Sequence, residues 1–277
     1  MQSTPLADAH CHLDQLADPD ADIQAALTAG VTRMLSCSED PDSMRATLEL
    51  SGRYPGVVLP GLGLHPAVAV HLDDGAVDAS LSFLQDRLDS AAFVGEVGLD
   101  YLHAGTQLER DRQNVILKEL LGLAARARLP VCLHSRRAER EVLEVAVVSC
   151  EESGLPVLLH WFTHSVKLAR RASSVPLIYM SAGPSVLHNP AAMAVAAAIA
   201  AERLLVETDA PVPFGGESAR PAWIPRVVQA IACARGLPEG ELRSMLDQNL
   251  ERFLYSSRSW SPHPPSGSTH EMPARFA

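Results

Sequence analysis

Short apolar runs recur along the chain, and most are followed by a longer segment with helical periodicity. Several runs are almost continuously apolar, which is typical of strands buried on both faces of a sheet. Strands that alternate with helices pair in parallel through right-handed crossovers, and eight such units close into a barrel. We therefore predict an α/β fold, a single (β/α)8 TIM barrel. The predicted strands are Leu6 to His12, Val31 to Cys37, Val57 to Leu64, Ala92 to Val97, Pro130 to His134, Pro156 to His160, Leu177 to Ser181 and Leu204 to Asp209.

The chain has 277 residues, close to the ~250 that one barrel of this kind needs. We assign residues 1–255 to the barrel and expect helices near residues 39–53, 136–149, 189–201, 222–235 and 239–254. Residues 256–277 are rich in Ser and Pro and lack periodicity, so we expect a flexible tail there. His263 and His270 lie in this segment and are expected to be solvated.

The charge balance excludes one class of nucleic-acid-binding protein. The net charge is −10, and only Lys118 and Lys167 are lysines. A protein that coats DNA needs a broad basic surface, which this composition does not supply. An enzyme remains compatible with it, because bound metal cations can provide local positive charge.

The cysteines and the apolar runs indicate where the protein works. The five cysteines include no Cys-x-x-Cys pair, and Cys11, Cys37 and Cys132 lie in apolar strand-like runs. Buried free thiols are the ordinary interpretation, and they favour a reducing cytoplasm. The longest helical apolar run, Ala191 to Ala201, is too short to cross a bilayer, so we expect no membrane segment.

Metal-ligating residue types stand at the ends of the predicted strands. In barrels of this kind the active site lies at the carboxyl ends of the strands. His10 and His12 are two residues apart, so their side chains point to the same face of a strand. Each residue is a weak signal alone, but their common position predicts one site. The complete set is His10 and His12 on the first strand, His65 on the third, Glu96 on the fourth, His134 on the fifth, His160 on the sixth and Asp209 on the eighth.

Without His65, the set holds six candidate ligands: His10, His12, Glu96, His134, His160 and Asp209. Six are more than one tetrahedral ion needs. They suit two divalent cations ~3.5–4 Å apart with a bridging carboxylate, and Glu96 is the best candidate for the bridge. A water held between the ions would be the nucleophile, and Asp209 could accept its proton. The ligand types suit Mg, Mn or Zn and leave the metal open. The predicted partition places His10, His12 and Asp209 on one ion and His134 and His160 on the other.

Five ordered motifs resemble the TatD family of metal-dependent deoxyribonucleases. The resemblance implies a barrel, two divalent metals and hydrolysis of phosphodiester bonds, often from the 3′ end of single-stranded DNA. It also implies that the six candidate ligands, without His65, bind the metals. The segment Asn249 to Phe253 resembles the closing helix of the family. The motifs are Asp8 to Asp14, Gly63 to Pro66, Gly95 to Tyr101, Leu133 to Arg136 and Glu207 to Pro211.

Two stretches depart from the family pattern. His164 stands where the family usually has a glycine, which leaves the local loop shape and a possible substrate contact open. The loop from Phe214 to Pro221 has one Arg and no Lys where the family commonly has both, so it offers less attraction to DNA. Related barrels that open lactams and amides often bridge their metals through a carboxylated lysine. Here Glu96 stands at that strand end in place of the lysine. A bridge through a glutamate carboxylate suits metals that hold phosphate oxygens.

Further residues near the strand ends have secondary roles. Arg136 could point into the mouth of the barrel, where its planar fork matches a phosphate. For His65, a phosphate contact and a structural hydrogen bond stay equally open. Glu207 shares strand parity with Asp209, and we expect it to support a ligand or the core. Four rings are expected to pack rather than to stack on bases: Tyr101, His103, Trp161 and Phe162.

The predicted function is a two-metal hydrolase of phosphodiester bonds, a deoxyribonuclease of the 3′–5′ exonuclease type. Its catalytic residues are predicted to be Asp209, Glu96, His65 and Arg136, and its partner is DNA, with single strands favoured. One alternative is hydrolysis of another ester or phosphoester, in a small molecule or in aminoacyl-tRNA. A second alternative is a non-enzymatic protein that binds a partner through its metals.

Overall fold

Eight parallel strands form a continuous sheet in which each strand pairs with the next along the chain. The computed structural model describes residues 4–256. Because order in the sheet follows order in the sequence, the strands wind in one direction around an axis, as the sequence predicts. The strands are β1 Leu6–Cys11, β2 Val31–Cys37, β3 Val58–Leu62, β4 Phe93–Asp100, β5 Val131–Arg136, β6 Val157–Leu159, β7 Ile178–Ala182 and β8 Leu204–Val206.

Backbone and side-chain hydrogen bonds join β1 to the residues that follow β8. The amide of Asp209 donates a hydrogen bond to the carbonyl of His10 at 2.9 Å. The amide of His12 donates one to the carbonyl of Ala210 at 2.6 Å. The buried carboxylate of Asp8 accepts hydrogen bonds from the amide of Thr208, at 2.9 Å, and from its hydroxyl. The sheet thus closes into a barrel, and closure brings the ends of the first and last strands together.

Helices connect successive strands and cover the barrel. Local side chains cap the N-termini of seven of the ten described helices. At α5, Thr106 and Glu109 form a reciprocal capping box. Gly154 and Gly236 end two helices in the left-handed conformation that suits glycine. The helices are α1 Pro19–Thr28, α2 Pro41–Arg53, α3 Pro66–Ala69, α4 Asp74–Gln85, α5 Gln107–Ala127, α6 Glu139–Ser153, α7 Val166–Ser173, α8 Pro190–Ala198, α9 Ile224–Arg235 and α10 Glu239–Tyr255. A short hairpin, β9 Pro213–Phe214 and β10 Glu217–Ser218, follows β8.

Alternate strand residues enter two different parts of the core. Met34 packs in the large cluster with the helices, whereas the next residue belongs to a smaller cluster built from the strands and α10. In that smaller cluster the rings of Tyr179 and Phe253 pack edge to face at 5.8 Å. A Cβ atom on Gly61 would lie 2.1 Å from the Phe93 ring, so only glycine leaves room for it. Because Phe93 and Tyr179 lie near the starts of their strands, this cluster fills the amino-terminal end of the barrel.

The predicted barrel is confirmed, and the strand boundaries differ by a few residues. Strand β4 continues to Asp100, because its pairing with β5 extends to the Asp100–Arg136 pair. Glu96 therefore lies in the middle of β4 instead of at its end. No helix between residues 4 and 256 is long and apolar enough to cross a membrane. Apart from Ser256, the predicted tail lies outside the described residues.

Candidate metal centre

Four side chains, on β1, just after it, on β4 and shortly after β8, bring their ligand atoms to one point. His10 Nε2 lies 3.2 Å from His12 Nε2, 3.4 Å from Glu96 Oε2 and 3.3 Å from Asp209 Oδ1. His12 Nε2 lies 3.3 Å from Glu96 Oε2 and 3.5 Å from Asp209 Oδ1. Tetrahedral ligands at ~2.1 Å from one ion are themselves ~3.4 Å apart. We call these four atoms the first donor set. The distances from the two imidazole nitrogens to each other and to the two oxygens match those between ligands of one divalent cation.

The other oxygen of Glu96 faces a second group of imidazoles. Its Oε1 atom lies 2.6 Å from His134 Nδ1, 2.7 Å from His160 Nε2 and 3.5 Å from His65 Nε2. The two nearer nitrogens are 3.3 Å apart. We call Glu96 Oε1, His134 Nδ1 and His160 Nε2 the second donor set. Glu96 contributes one oxygen to each set, which is the arrangement of a bridging carboxylate.

The donor sets are buried, so the pKa values of their residues depend strongly on the neighbouring charges. Glu96 is 2% exposed and His10 is fully buried. Burial alone would raise the pKa of Glu96, but the surrounding imidazoles, His160 and His65 first, lower it well below its ordinary value. Burial would lower the pKa of His12, yet hydrogen bonds with Asp209 and Glu96 raise it to about 10. The carboxylates thus favour positive charge at the donor sets, which a bound metal cation would supply in place of the protons.

Contacts of the Nδ1 atoms, which face away from the donor set, orient the imidazoles of His10 and His12. Nδ1 of His12 lies 3.2 Å from the carbonyl oxygen of Cys37. Nδ1 of His10 lies 3.2 Å from Cys37 Sγ and 3.3 Å from Cys132 Sγ. A proton on Nδ1 of each ring leaves the Nε2 lone pair directed at the donor set, which is the state a metal ligand needs. The sequence placed both cysteines among buried thiols but gave no sign of their contact with His10.

Glu207 lies behind His160 and outside both donor sets. Its carboxyl accepts hydrogen bonds from Ser181 Oγ, at 2.6 Å, and from the amide of Trp161. Nδ1 of His160 is 3.9 Å away and has no hydrogen-bond partner among the described residues. Burial raises the pKa of Glu207 well above its ordinary value. The position agrees with the supporting role expected from strand parity.

Asp100 is a residue near the site that our sequence analysis did not select. Its Oδ2 atom lies 2.8 Å from His103 Nδ1 and 3.3 Å from His134 Nε2, the latter without hydrogen-bond geometry. Although burial opposes ionisation, the neighbouring imidazoles of His134 and His103 hold the pKa of Asp100 below its ordinary value. The signal was present in the sequence, since Asp100 is an even number of residues from Glu96 on the same strand.

The donor sets lie at the bottom of an open cleft of about 570 Å³. At its rim the Arg136 side chain is exposed and has no partner among the described residues. His65 caps α3, because its Nδ1 atom accepts the amide hydrogen of Ala67 at 3.1 Å. In a neutral ring the proton is then on Nε2, which can act as a hydrogen-bond donor towards the cleft.

The remaining rings divide between core and cleft. Tyr101 packs under the Arg110 guanidinium, 4.7 Å from the ring centre, and Phe162 is 3% exposed, so both pack as expected. His103, Trp161 and His164 instead line the cleft. His164 Nδ1 lies 3.5 Å from Glu139 Oε1.

Two cleft residues have backbone conformations that are uncommon outside glycine. Asp209 has φ +52° and Trp161 has φ +45°. A bulky residue pays a steric cost in this region, so the surrounding structure must hold it there. At Asp209 the closure of β8 onto β1 does so, and the carboxylate reaches the first donor set.

A sequence model of one family, described as TatD related DNase, matches residues 7–255. The chain belongs to this family. The TatD-related enzymes are metal-dependent hydrolases, and the geometry of the donor sets agrees with that activity. The prediction of a metal-dependent hydrolase is confirmed at this level.

Relatives of the TatD-related chain span almost its whole length. The metal-dependent hydrolase YjjV of Escherichia coli is 32% identical over 254 residues, which cover 87% of this chain and 95% of the relative. Human deoxyribonuclease TATDN3 is 29% identical over 257 residues, covering 88% and 92% of the two chains. The crystal structure of YjjV superposes with a TM-score of 0.79, at 29% identity, and covers 90% of this chain and 97% of that one.

Proposed function

We propose that this enzyme hydrolyses phosphodiester bonds in single-stranded DNA with two divalent cations, as a 3′–5′ exonuclease. One observation carries the proposal: the two oxygens of Glu96 belong to different donor sets, so this carboxylate could bridge two cations. The human relative TATDN3 is named a deoxyribonuclease, which supports DNA as the substrate.

The donor sets define the residues that would hold each ion. The first set offers two imidazoles and two carboxylate oxygens, and the second offers two imidazoles and the other oxygen of Glu96. Imidazole nitrogens and carboxylate oxygens together are donors that suit a divalent cation. The opposite ring nitrogens of the second set's histidines, His160 Nδ1 and His134 Nε2, are buried without a hydrogen-bond partner among the described residues. The predicted ligands are thus His10, His12, Glu96, His134, His160 and Asp209.

When bound, two divalent cations lower the pKa of a water and neutralise charge on the phosphate. The protein residues position the substrate and move the proton. Asp209 directs Oδ1 at His10 and His12, which leaves Oδ2 to accept the proton of the attacking water. His65 Nε2 and the Arg136 guanidinium donate hydrogen bonds to non-bridging phosphate oxygens.

A small phosphoester or another ester is a second candidate substrate. Among the described residues that line the cleft, Arg136 is the only arginine or lysine. A long DNA strand needs several cations along its backbone for tight binding, whereas a small ester needs fewer.

The five cysteines are all unpaired, which supports the expected cytoplasmic location.

The decisive experiment compares substrates in one metal series. The purified protein is stripped with a chelator, restored with Mg²⁺, Mn²⁺ or Zn²⁺, and given single-stranded DNA labelled at either end. The same preparations receive small phosphodiesters and carboxylic esters. Stepwise shortening of the DNA from the 3′ end supports the proposal. Hydrolysis of small esters without any DNA cleavage contradicts it and favours the second candidate.

A further inference from the structure

Three rings form a row beside the cleft. The ring centres of Trp161 and Phe214 are 6.3 Å apart, and those of Phe214 and His188 are 5.7 Å apart with their planes 16° from parallel. Phe214 lies in the β9–β10 hairpin, and His188 lies in the loop before α8. We call these three residues the aromatic row. Its members come from three separate loops at the carboxyl end of the barrel, so the fold brings them together.

Trp161 is held firmly at the cleft end of the row. It directly follows His160, and its amide donates a hydrogen bond to buried Glu207. Its ring lies against Gly183, where an added Cβ atom would be 3.4 Å from two ring carbons. The ring therefore has a fixed place next to the second donor set, and its partial exposure leaves it accessible from the cleft.

The cleft offers two kinds of contact. The residues that follow β6 and β8 include Trp161 and Val212, which is 39% exposed. Arg136, at the end of β5, and the Nε2 atom of His65, after β3, offer hydrogen-bond donors. A nucleotide has the same division, since its phosphate accepts hydrogen bonds and its base offers a flat apolar face.

We propose that Trp161, supported by Phe214, forms a nucleobase-binding subsite that stacks the base next to the scissile phosphate. The proposal rests on the proposed function, because the phosphate must lie at the donor sets for its base to reach Trp161. Stacking tolerates any base, since every base has a π-face. The subsite thus selects nucleotides over phosphodiesters without a base and does not select a sequence.

Tryptophan fluorescence of the metal-loaded protein tests binding without cleavage. The probes are thymidine 5′-monophosphate and 2′-deoxyribose 5-phosphate, which share a phosphate and differ in the base. We expect the monophosphate with the base to quench the fluorescence and the sugar phosphate not to do so. Trp161→Phe should abolish the quenching. Trp223→Phe is the matched control, because Trp223 lies at the start of α9 under Arg226, and it should keep the quenching.

Kinetics on two oligonucleotides of equal length test the same subsite during turnover. One is oligothymidylate, and the other carries abasic residues on the same backbone. We expect a lower KM for the strand with bases, and Trp161→Ala should reduce this preference about tenfold, within the range for base stacking. Trp161→Phe should keep most of the preference, and Phe214→Ala should lower it. Phe214→Ala also serves if Trp161→Ala fails to fold.

The outcomes separate this proposal from the proposed function. Cleavage with an unchanged base preference in Trp161→Ala or, if that variant does not fold, in Phe214→Ala, overturns the subsite and leaves the hydrolase intact. Base-dependent quenching that Trp161→Phe removes, in a protein that cleaves neither oligonucleotide, supports a nucleotide subsite and contradicts the DNA exonuclease. Equal quenching by both probes overturns the subsite directly.

Discussion

Nδ1 of His10 lies 3.2 Å from the sulfur of Cys37. Ring nitrogens of metal-binding histidines usually donate to a carboxylate or a carbonyl, which fixes the ring and its tautomer. Here the thiol of Cys37 occupies that position. The sulfur of Cys132 lies 3.3 Å from the same nitrogen of His10. Both cysteines are fully buried, at the end of β2 and within β5. The orientation of His10 therefore depends on strands that carry no residue of the first donor set.

Removal of both sulfurs should weaken metal binding. In Cys37→Ala with Cys132→Ala, His10 loses the partners of Nδ1, and we expect about a tenfold loss of metal affinity, the lower end for such orienting contacts. Calorimetric titration with Mn²⁺ measures it. Cys150→Ala is the matched control, since Cys150 is a buried thiol that donates to Leu155 O, away from any histidine. Equal affinity in the double variant and the control would argue against the orienting contact.

Neutralising the shared carboxylate should abolish hydrolysis. Glu96→Gln keeps the size of the side chain but removes the charge that both donor sets share. Metal ions stabilise the transition state by several kcal/mol, so we expect at least about a thousandfold loss of kcat. Asp209→Asn should behave similarly. Glu144→Gln, an exposed partner of Arg171 on the surface, is the control. Near-normal turnover by either folded variant would refute the assigned roles.

Arg136 should affect substrate binding and leave stability unchanged. Its guanidinium is exposed at the cleft rim and has no partner among residues 4–256. A hydrogen bond to a charged group contributes about 1.5–3 kcal/mol, so Arg136→Ala should lower kcat/KM for a phosphodiester by about tenfold to a hundredfold. Arg137→Ala tests the neighbouring exposed arginine, which does not line the cleft. A similar loss in both variants would indicate general electrostatics instead of a specific contact.

Metal removal should lower the melting temperature. Cations that bind only the folded protein, at about 100 times their Kd, stabilise it by about 2.7 kcal/mol. For a domain of this size we expect a shift of about 5–10 °C, measured by thermal denaturation with and without a chelator. In Glu96→Gln the shift should shrink, because both donor sets lose a charged ligand. A chelator effect of the same size in that variant would place the stabilising ion elsewhere.

The fold followed from patterns that are local in the sequence. Continuous apolar runs and helix periodicity identified all eight strands and the helices α2, α6, α8, α9 and α10. The end of β4 was misplaced, because its last residues are held by pairing with β5, and such pairing leaves no local trace. The short helix α3 was also missed, because four residues are too few to show a period.

The sequence by itself determined which ligand types the barrel mouth carries and which strands present them. Only the tertiary structure decided how they are divided, with Oε2 of Glu96 facing His10 and His12 and Oε1 facing His134 and His160. It also decided that Cys37 contacts His10 and that Trp161 faces the cleft. The physical reason is that strand parity gives the face of a side chain, whereas interatomic distances depend on barrel closure and on packing between residues distant in sequence.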